Sequence, residues 1–450
     1  MVIHDVNTVD NRDDFCHYTS QRSSSLGHFI AAARELYWIA RISMRRIMNS
    51  KFLTIATAAF VVVGLSACGA DPNAGGGSTV PGGDSDEIII GATLSLTGIQ
   101  APLDEPGLRG AQLAVDELNE AGGILGKQVR LINLDGKSDP VTAGNNAEQL
   151  IAQGADAIIA PCDFDFGGPA SRAAQNAGLV GISTCASSPL YSSTNLGDKQ
   201  FTLSMWNTTM GAAAAEWAYS ERGLKNAYVV TDTFIDYTKS LSEYFSASME
   251  HLGGTVIGQD TYTQGDQNFS AQLQRLKATG ADADVIFVSS YMPDLALIIR
   301  EIRAAGITTP IFGGDSYDDP ELPKVLGSEF GNDVTYATHS YLSDDASPLV
   351  SHFLESYEKA NGEAPDTAMV TTGYDTVNVL AQAMEAAGTT DGAKVALQME
   401  ELDFTLLTGK LNWSTAAEGH EPKKEAAMVS IQNGETTFEG WFMPEWAPAP

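Results

Sequence analysis

The sequence predicts an α/β protein of two doubly wound, parallel-sheet lobes, and three observations carry that expectation. From Glu87 onward, short β-branched runs alternate with helical patterns, as in parallel sheets covered by crossover helices. The alternation completes one series of strands and starts again near Asn226. The body from Glu87 is about 360 residues, more than one hydrophobic core usually serves.

Residues 1–43 place Asp5, Asp10, Asp13 and Asp14 ahead of a basic stretch and read as a non-native N-terminal extension, with Met44 or Met48 the more credible start. Residues 44–67 read as a lipoprotein signal peptide. Arg45, Arg46 and Lys51 are its basic region, Phe52 to Leu65 its apolar run, and Leu65-Ser66-Ala67 the small-residue approach to cleavage. About 14 apolar residues fall short of the roughly 20 needed to span a bilayer. Cys68 stands where the lipobox pattern puts the diacylated thiol, so the mature chain is expected to be extracytoplasmic, anchored to the cell membrane through Cys68. Residues 68–86 are almost all Gly, Pro, Ala, Ser, Asn and Asp, a composition that cannot bury enough apolar surface to fold, and form a flexible tether.

The first strand is expected over Glu87–Leu94, followed by a helix with Leu108, Ala111, Val115, Leu118 and Ala121 on one face and Gly122-Gly123 as its stop. Strands near Gln128–Leu134, Asp156–Ala160 and Leu179–Ser183 follow, with helices near Val141–Gln153 and Gly167–Ala177. The second series has strands near Asn226–Thr231, Thr255–Thr261, Val285–Ser289 and Pro310–Phe312. Its helices carry Tyr237, Leu241, Phe245, Ser248 and Leu252, then Phe269–Ala278 and Asp294–Ala305. In such sheets ligands bind outside the strand C-terminal ends, so a cleft between the lobes is the expected site.

The chain carries 57 acidic against 26 basic residues, net −31. Loss of residues 1–67, with their 7 basic and 5 acidic groups, leaves about −33. Such a surface argues against nucleic acid or anionic lipid headgroups as partners. Enzyme motifs are missing. Gly136-Lys137-Ser138 resembles the end of a phosphate loop, but Leu131 occupies the place of its first glycine. Ser183 is followed at the second position by Cys185 rather than glycine, so no nucleophile elbow forms. His251, His339, His352 and His420 lack a second ligand at metal-site spacing and read as solvated or locally bonded, and no metal or cofactor is expected.

Several segments in order and spacing carry a resemblance. They are Leu96-Thr97-Gly98, Gly110-Ala111 through Asn119 to Ile124, Ser138-Asp139-Pro140, Gly168-Pro169-Ala170-Ser171, Phe269-Ser270 through Leu276-Lys277, and Gly409 to Trp413. Together they resemble the type I periplasmic substrate-binding proteins, similar to the branched-chain amino acid (Leu/Ile/Val) receptors of ABC importers, over Glu87 to Phe442. The resemblance implies a non-enzymatic two-lobe trap joined by three chain crossings, near Met205–Thr208, Ala337–Ser340 and Ala426–Val429. Lobe 1 would hold residues 87–205 and 339–426, and lobe 2 residues 206–338 and 427–446. A small-molecule ligand, a membrane ABC permease and a monomeric state are implied.

In this family the ligand's carboxylate and ammonium are met by loops after the third and fourth strands and by an acid of the second lobe. Those positions fall here on Asp163, on Cys185 and Ser187, and on Asp315. Asp315 could pair with an ammonium, or cap the helix after Pro320, or face water. Tyr237 and Tyr291 match pocket aromatics, or are core. Trp206 could stack on the ligand, hinge packing being the commoner role. Leu103 stands where these receptors have an aromatic residue, and Asp163 where they have a small hydroxyl, so a plain aliphatic amino acid is doubtful as ligand. The resemblance also implies a disulfide between Cys162 and Cys185, at the ends of neighbouring strands. Free thiols and a metal pair are the alternatives. A sensor of similar fold, or a hydrolase on a similar scaffold, are the rival functions.

Overall fold

A computed structural model describes residues 86–266 and 268–450. The expected signal peptide, Cys68 and the expected tether as far as residue 85 lie outside the described residues. The apolar run Glu87–Ala92 (β1) is the second strand of a five-stranded parallel sheet ordered β2-β1-β3-β4-β5. Its neighbours are Gln128–Asn133 (β2), Ala157–Ala160 (β3), Val180–Ser183 (β4) and Gln200–Thr202 (β5). Crossovers run through helices Ala101–Glu120 (α1), Pro140–Ala152 (α2) and Phe164–Ala177 (α3).

The second sheet repeats that order. Asn226–Asp232 (β6), Thr255–Tyr262 (β7), Val285–Ser289 (β8), Ile311–Gly313 (β9) and Val334–Thr338 (β10) lie parallel as β7-β6-β8-β9-β10. Two antiparallel strands, Ala426–Gln432 (β14) and Glu435–Phe442 (β15), extend it beyond β10. Each sheet therefore reverses its winding once, between β1 and β3 and between β6 and β8, and the crevice at such a switch point is where open α/β sheets take ligands.

The late chain completes the first half. Helix Val370–Ala387 (following Val350–Asn361) packs Val377, Leu380 and Met384 against Ile88, Ile90 and Ala114 in one apolar core. A small antiparallel sheet, Phe404–Leu406 (β11), Gly409–Trp413 (β12) and Pro422–Lys423 (β13), closes that half, and Trp413 Nε1 donates to the Thr202 carbonyl at 2.9 Å. The chain passes between the sheets after β5, after β10, and between Lys423 and Ala426. The third passage lies ahead of the expected Ala426–Val429, because those residues are already paired within β14. Buried Lys424 ties the first and third passages together, its Nζ donating to the Leu203 carbonyl at 3.0 Å.

The expected strands and helices form within a few residues of their expected bounds. One helix differs more: α3 begins at Phe164 rather than near Gly167. Asp165 in its first turn favours the positive helix end, and Phe166 turns into the core, so the extra residues gain by being helical.

Candidate functional site

The loop after β1 is locked before any ligand arrives. Asp104 of α1, fully buried, accepts the Ser95 amide at 2.8 Å and the Cys162 amide at 2.9 Å, pinning the β1 and β3 loops to each other. Burial pushes its carboxyl up to about 7 against those two bonds. Gly98 adopts φ 89°, and a Cβ there would come within 2.5 Å of Ser138 Oγ, so glycine lets the loop settle on the turn at Ser138. That hydroxyl in turn accepts the Gln100 amide at 2.9 Å. The Gly136-Lys137-Ser138 turn thus positions a loop instead of cradling phosphate.

Asp163, after β3, is the centre of the site. Only 1% exposed, it adopts φ 63°, ψ 134°, a conformation that side-chain-bearing residues rarely take and that is typically held in place where function needs it. Its Oδ2 accepts from Gln100 Nε2 and from the Tyr291 hydroxyl, both at 2.7 Å. Gln100 follows β1 and Asp163 follows β3, so both stand at the first switch point. Tyr291 follows β8 and Tyr237 follows β6, so both stand at the second. The Tyr291–Asp163 bond spans the two.

On the second wall the Tyr237 and Tyr291 rings lie 5.2 Å apart, and the Tyr237 hydroxyl meets Ser316 Oγ at 3.2 Å. Gly314 makes room: a Cβ on it would approach the Tyr237 hydroxyl to 2.6 Å. Next to it, Asp315 is 4% exposed, and its Oδ2 lies 2.7 Å from His339 Nε2. Its other oxygen, Oδ1, is buried without a partner, as are Gln100 Oε1, Ser187 Oγ and His339 Nδ1. Further bonds join the walls: Ser188 Oγ to Asp236, and the Asp236 amide to Asp165 Oδ2 at 2.9 Å.

The electrostatics follow from the burial. Desolvation pushes the Asp163 carboxyl up to about 8; the bonds from Tyr291 and Gln100 oppose it, and the charge of Asp315 adds to it. Burial, then Asp163, holds the Tyr291 phenol well above its ordinary value, and burial, then Asp315, does so for Tyr237. Among the described residues no group of His, Cys, Asp and Glu could hold a metal ion.

The structure thus brings together Asp163, Tyr237, Tyr291 and Asp315, and places Leu103 and Cys185 in the apolar cluster that contains both tyrosines. Cys185 is disulfide-bonded to Cys162, with 4.7 Å between Cα atoms, so it offers backbone rather than sulfur. Ser187 lies on the same loop, its hydroxyl buried. Trp206 is 2% exposed; its indole packs on Gly419 and lines a groove with Pro189, Ser192, Ser240 and Tyr244, while the carboxylates are met by Gln100, Tyr291 and His339. Sequence reasoning missed Gln100, Ser316 and His339. Gln100 could have been found from its place in the loop after the first strand, and His339 from its place within the second crossing.

A family model described as periplasmic binding protein matches residues 87–436. A Leu/Ile/Val-binding protein of Rhizobium johnstonii is 27% identical over 308 residues, 68% of this chain and 82% of its own length. A leucine-binding protein of Thermotoga maritima superposes with a TM-score of 0.71 at 28% identity, covering 80% of this chain and 99% of that one. The branched-chain amino acid transporter substrate-binding protein of Streptococcus pneumoniae, solved with isoleucine, also gives 0.71, at 27% identity, covering 80% of this chain and 100% of that one.

Proposed function

Because the chain belongs to the periplasmic binding protein family, among the type I receptors of the branched-chain amino acid group, we propose that it is a lipid-anchored extracytoplasmic solute receptor serving an ABC importer. Members of this family are substrate-binding proteins and not enzymes. The ligand is a small polar compound, an amino acid or a relative of one, enclosed between lobe 1 (87–205 and 339–423) and lobe 2 (206–338 and 426–446) of a monomer.

The observation that carries this reading is the buried cluster spanning both switch points, in which Asp163 is bonded from both sheets and Asp315 keeps one oxygen unpartnered. A ligand touching both walls gains its full contact set only in the closed form. Its binding therefore shifts the open and closed populations by its differential affinity, and the closed, loaded form is the one a permease would engage.

Asp315→Ala tests the site. Removing one partner of a buried charged pair should cost roughly 2 to 5 kcal/mol of binding, beyond the smaller loss of stability from leaving His339 without its carboxylate. Full affinity by calorimetry in a folded variant would remove Asp315 from the site. The anchor is tested separately: Cys68→Ala should release the protein from membranes into the soluble fraction, and undiminished retention would defeat the lipoprotein reading.

A further inference from the structure

The polar atoms of the cleft are unevenly matched. Of the buried side-chain atoms without partners, Gln100 Oε1 and Asp315 Oδ1 can only accept hydrogen bonds, and both residues are at least nine-tenths buried. Each is placed by its other atom: Gln100 Nε2 is on Asp163, and Asp315 Oδ2 is against His339. Ser187 Oγ and His339 Nδ1, also unpartnered, can donate or accept, and the unpartnered Trp206 Nε1 can only donate.

Four backbone N–H groups of the first wall's loops are already used by the protein's own side chains. Asp104 takes the amides of Ser95 and Cys162, Ser138 Oγ takes that of Gln100, and Ser183 Oγ takes that of Ala186. The side chains that meet Asp163 and Asp315 are Gln100, Tyr291, Tyr237 and His339, with no lysine or arginine among them. A ligand carboxylate would lie against two buried carboxyl groups, whereas ligand N–H groups would satisfy the two unpartnered acceptors.

We propose that the molecule held between the two sheets is a small nitrogen-rich compound, a cationic amine or guanidine or a neutral amide, whose N–H groups serve Gln100 and Asp315 and which carries no free carboxylate. This rests on the receptor reading above and narrows its ligand. The burial that keeps Asp163 largely neutral fits a cleft short of positive charge, which a donor-rich ligand would supply.

The test uses the full mature chain, stripped of bound molecules and exposed to a small-molecule extract of bacterial cells, followed by native mass spectrometry. The bound molecule is released and fragmented. The expected result is one compound per chain that shows no carboxylic acid on fragmentation and does not react with a carboxyl-esterifying reagent. Asp315→Asn should lose it at least tenfold in occupancy, while its circular dichroism matches the wild type. A bound compound bearing a free carboxylate, leucine or isoleucine included, overturns the inference and leaves the receptor reading standing. An extract from which nothing binds overturns both.

Discussion

At Asp163 burial and hydrogen bonding pull in opposite directions, and burial prevails: the carboxyl rises from an ordinary 3.8 to about 8. The groups facing it are Gln100, Tyr291 and, through space, Asp315 and Asp165. A carboxyl whose value is raised by folding contributes stability that is complete below pH 4 and lost as pH rises through about 8. Asp163→Asn stays neutral throughout. Relative to the wild type it should therefore gain stability between pH 5 and pH 8, by an amount on the order of a few kcal/mol. Urea unfolding at the two pH values checks this, and a difference that does not change with pH would contradict it. The sequence made Asp163 and Asp315 visible through the resemblance. It hid Gln100 and His339, since a glutamine in a loop and a histidine without a ligand partner carry no spacing signal of their own.

The elements show where sequence patterns speak and where they are silent. Strands such as Val285–Ser289 are buried on both faces and read as continuous β-branched runs, so they were legible. Gln200–Thr202 is three residues long, and Glu435–Phe442 is half-exposed along its length, so neither presents a distinctive apolar run. The late helices of the first half were also silent, because their place follows from the chain's return across the hinge and not from local periodicity. Between β3 and β4 the disulfide fixes the loops of Asp163 and Ser187 to each other. With its cysteines 23 positions apart in the chain, it should stabilise the fold by about 3 kcal/mol in the chain-entropy model. The double variant Cys162→Ser, Cys185→Ser should lose about that much in denaturant titration. Intact mass of the mature protein before and after alkylation should show neither cysteine modified, and two alkylated thiols would count against the bond.

At the scale of the molecule, the bonds that join the two halves include Tyr291 to Asp163, Ser188 to Asp236, the Asp236 amide to Asp165 and Thr367 to Asp318. Each can be exchanged for water at modest cost, as closure of the two halves on a ligand would require. The doubling of the fold was legible from the repeated alternation of strands and helices; the shared switch-point geometry required the strand order, which periodicity does not encode. Among the described residues no helix is long and apolar enough to cross a membrane. Small-angle scattering of the mature chain tests the central claim most directly, comparing protein stripped of its bound molecule with the same protein reloaded from the released material. The account predicts a smaller radius of gyration on reloading, saturating at one molecule per chain and absent in Asp315→Ala. A radius unchanged by saturating ligand would contradict capture by closure of the two lobes.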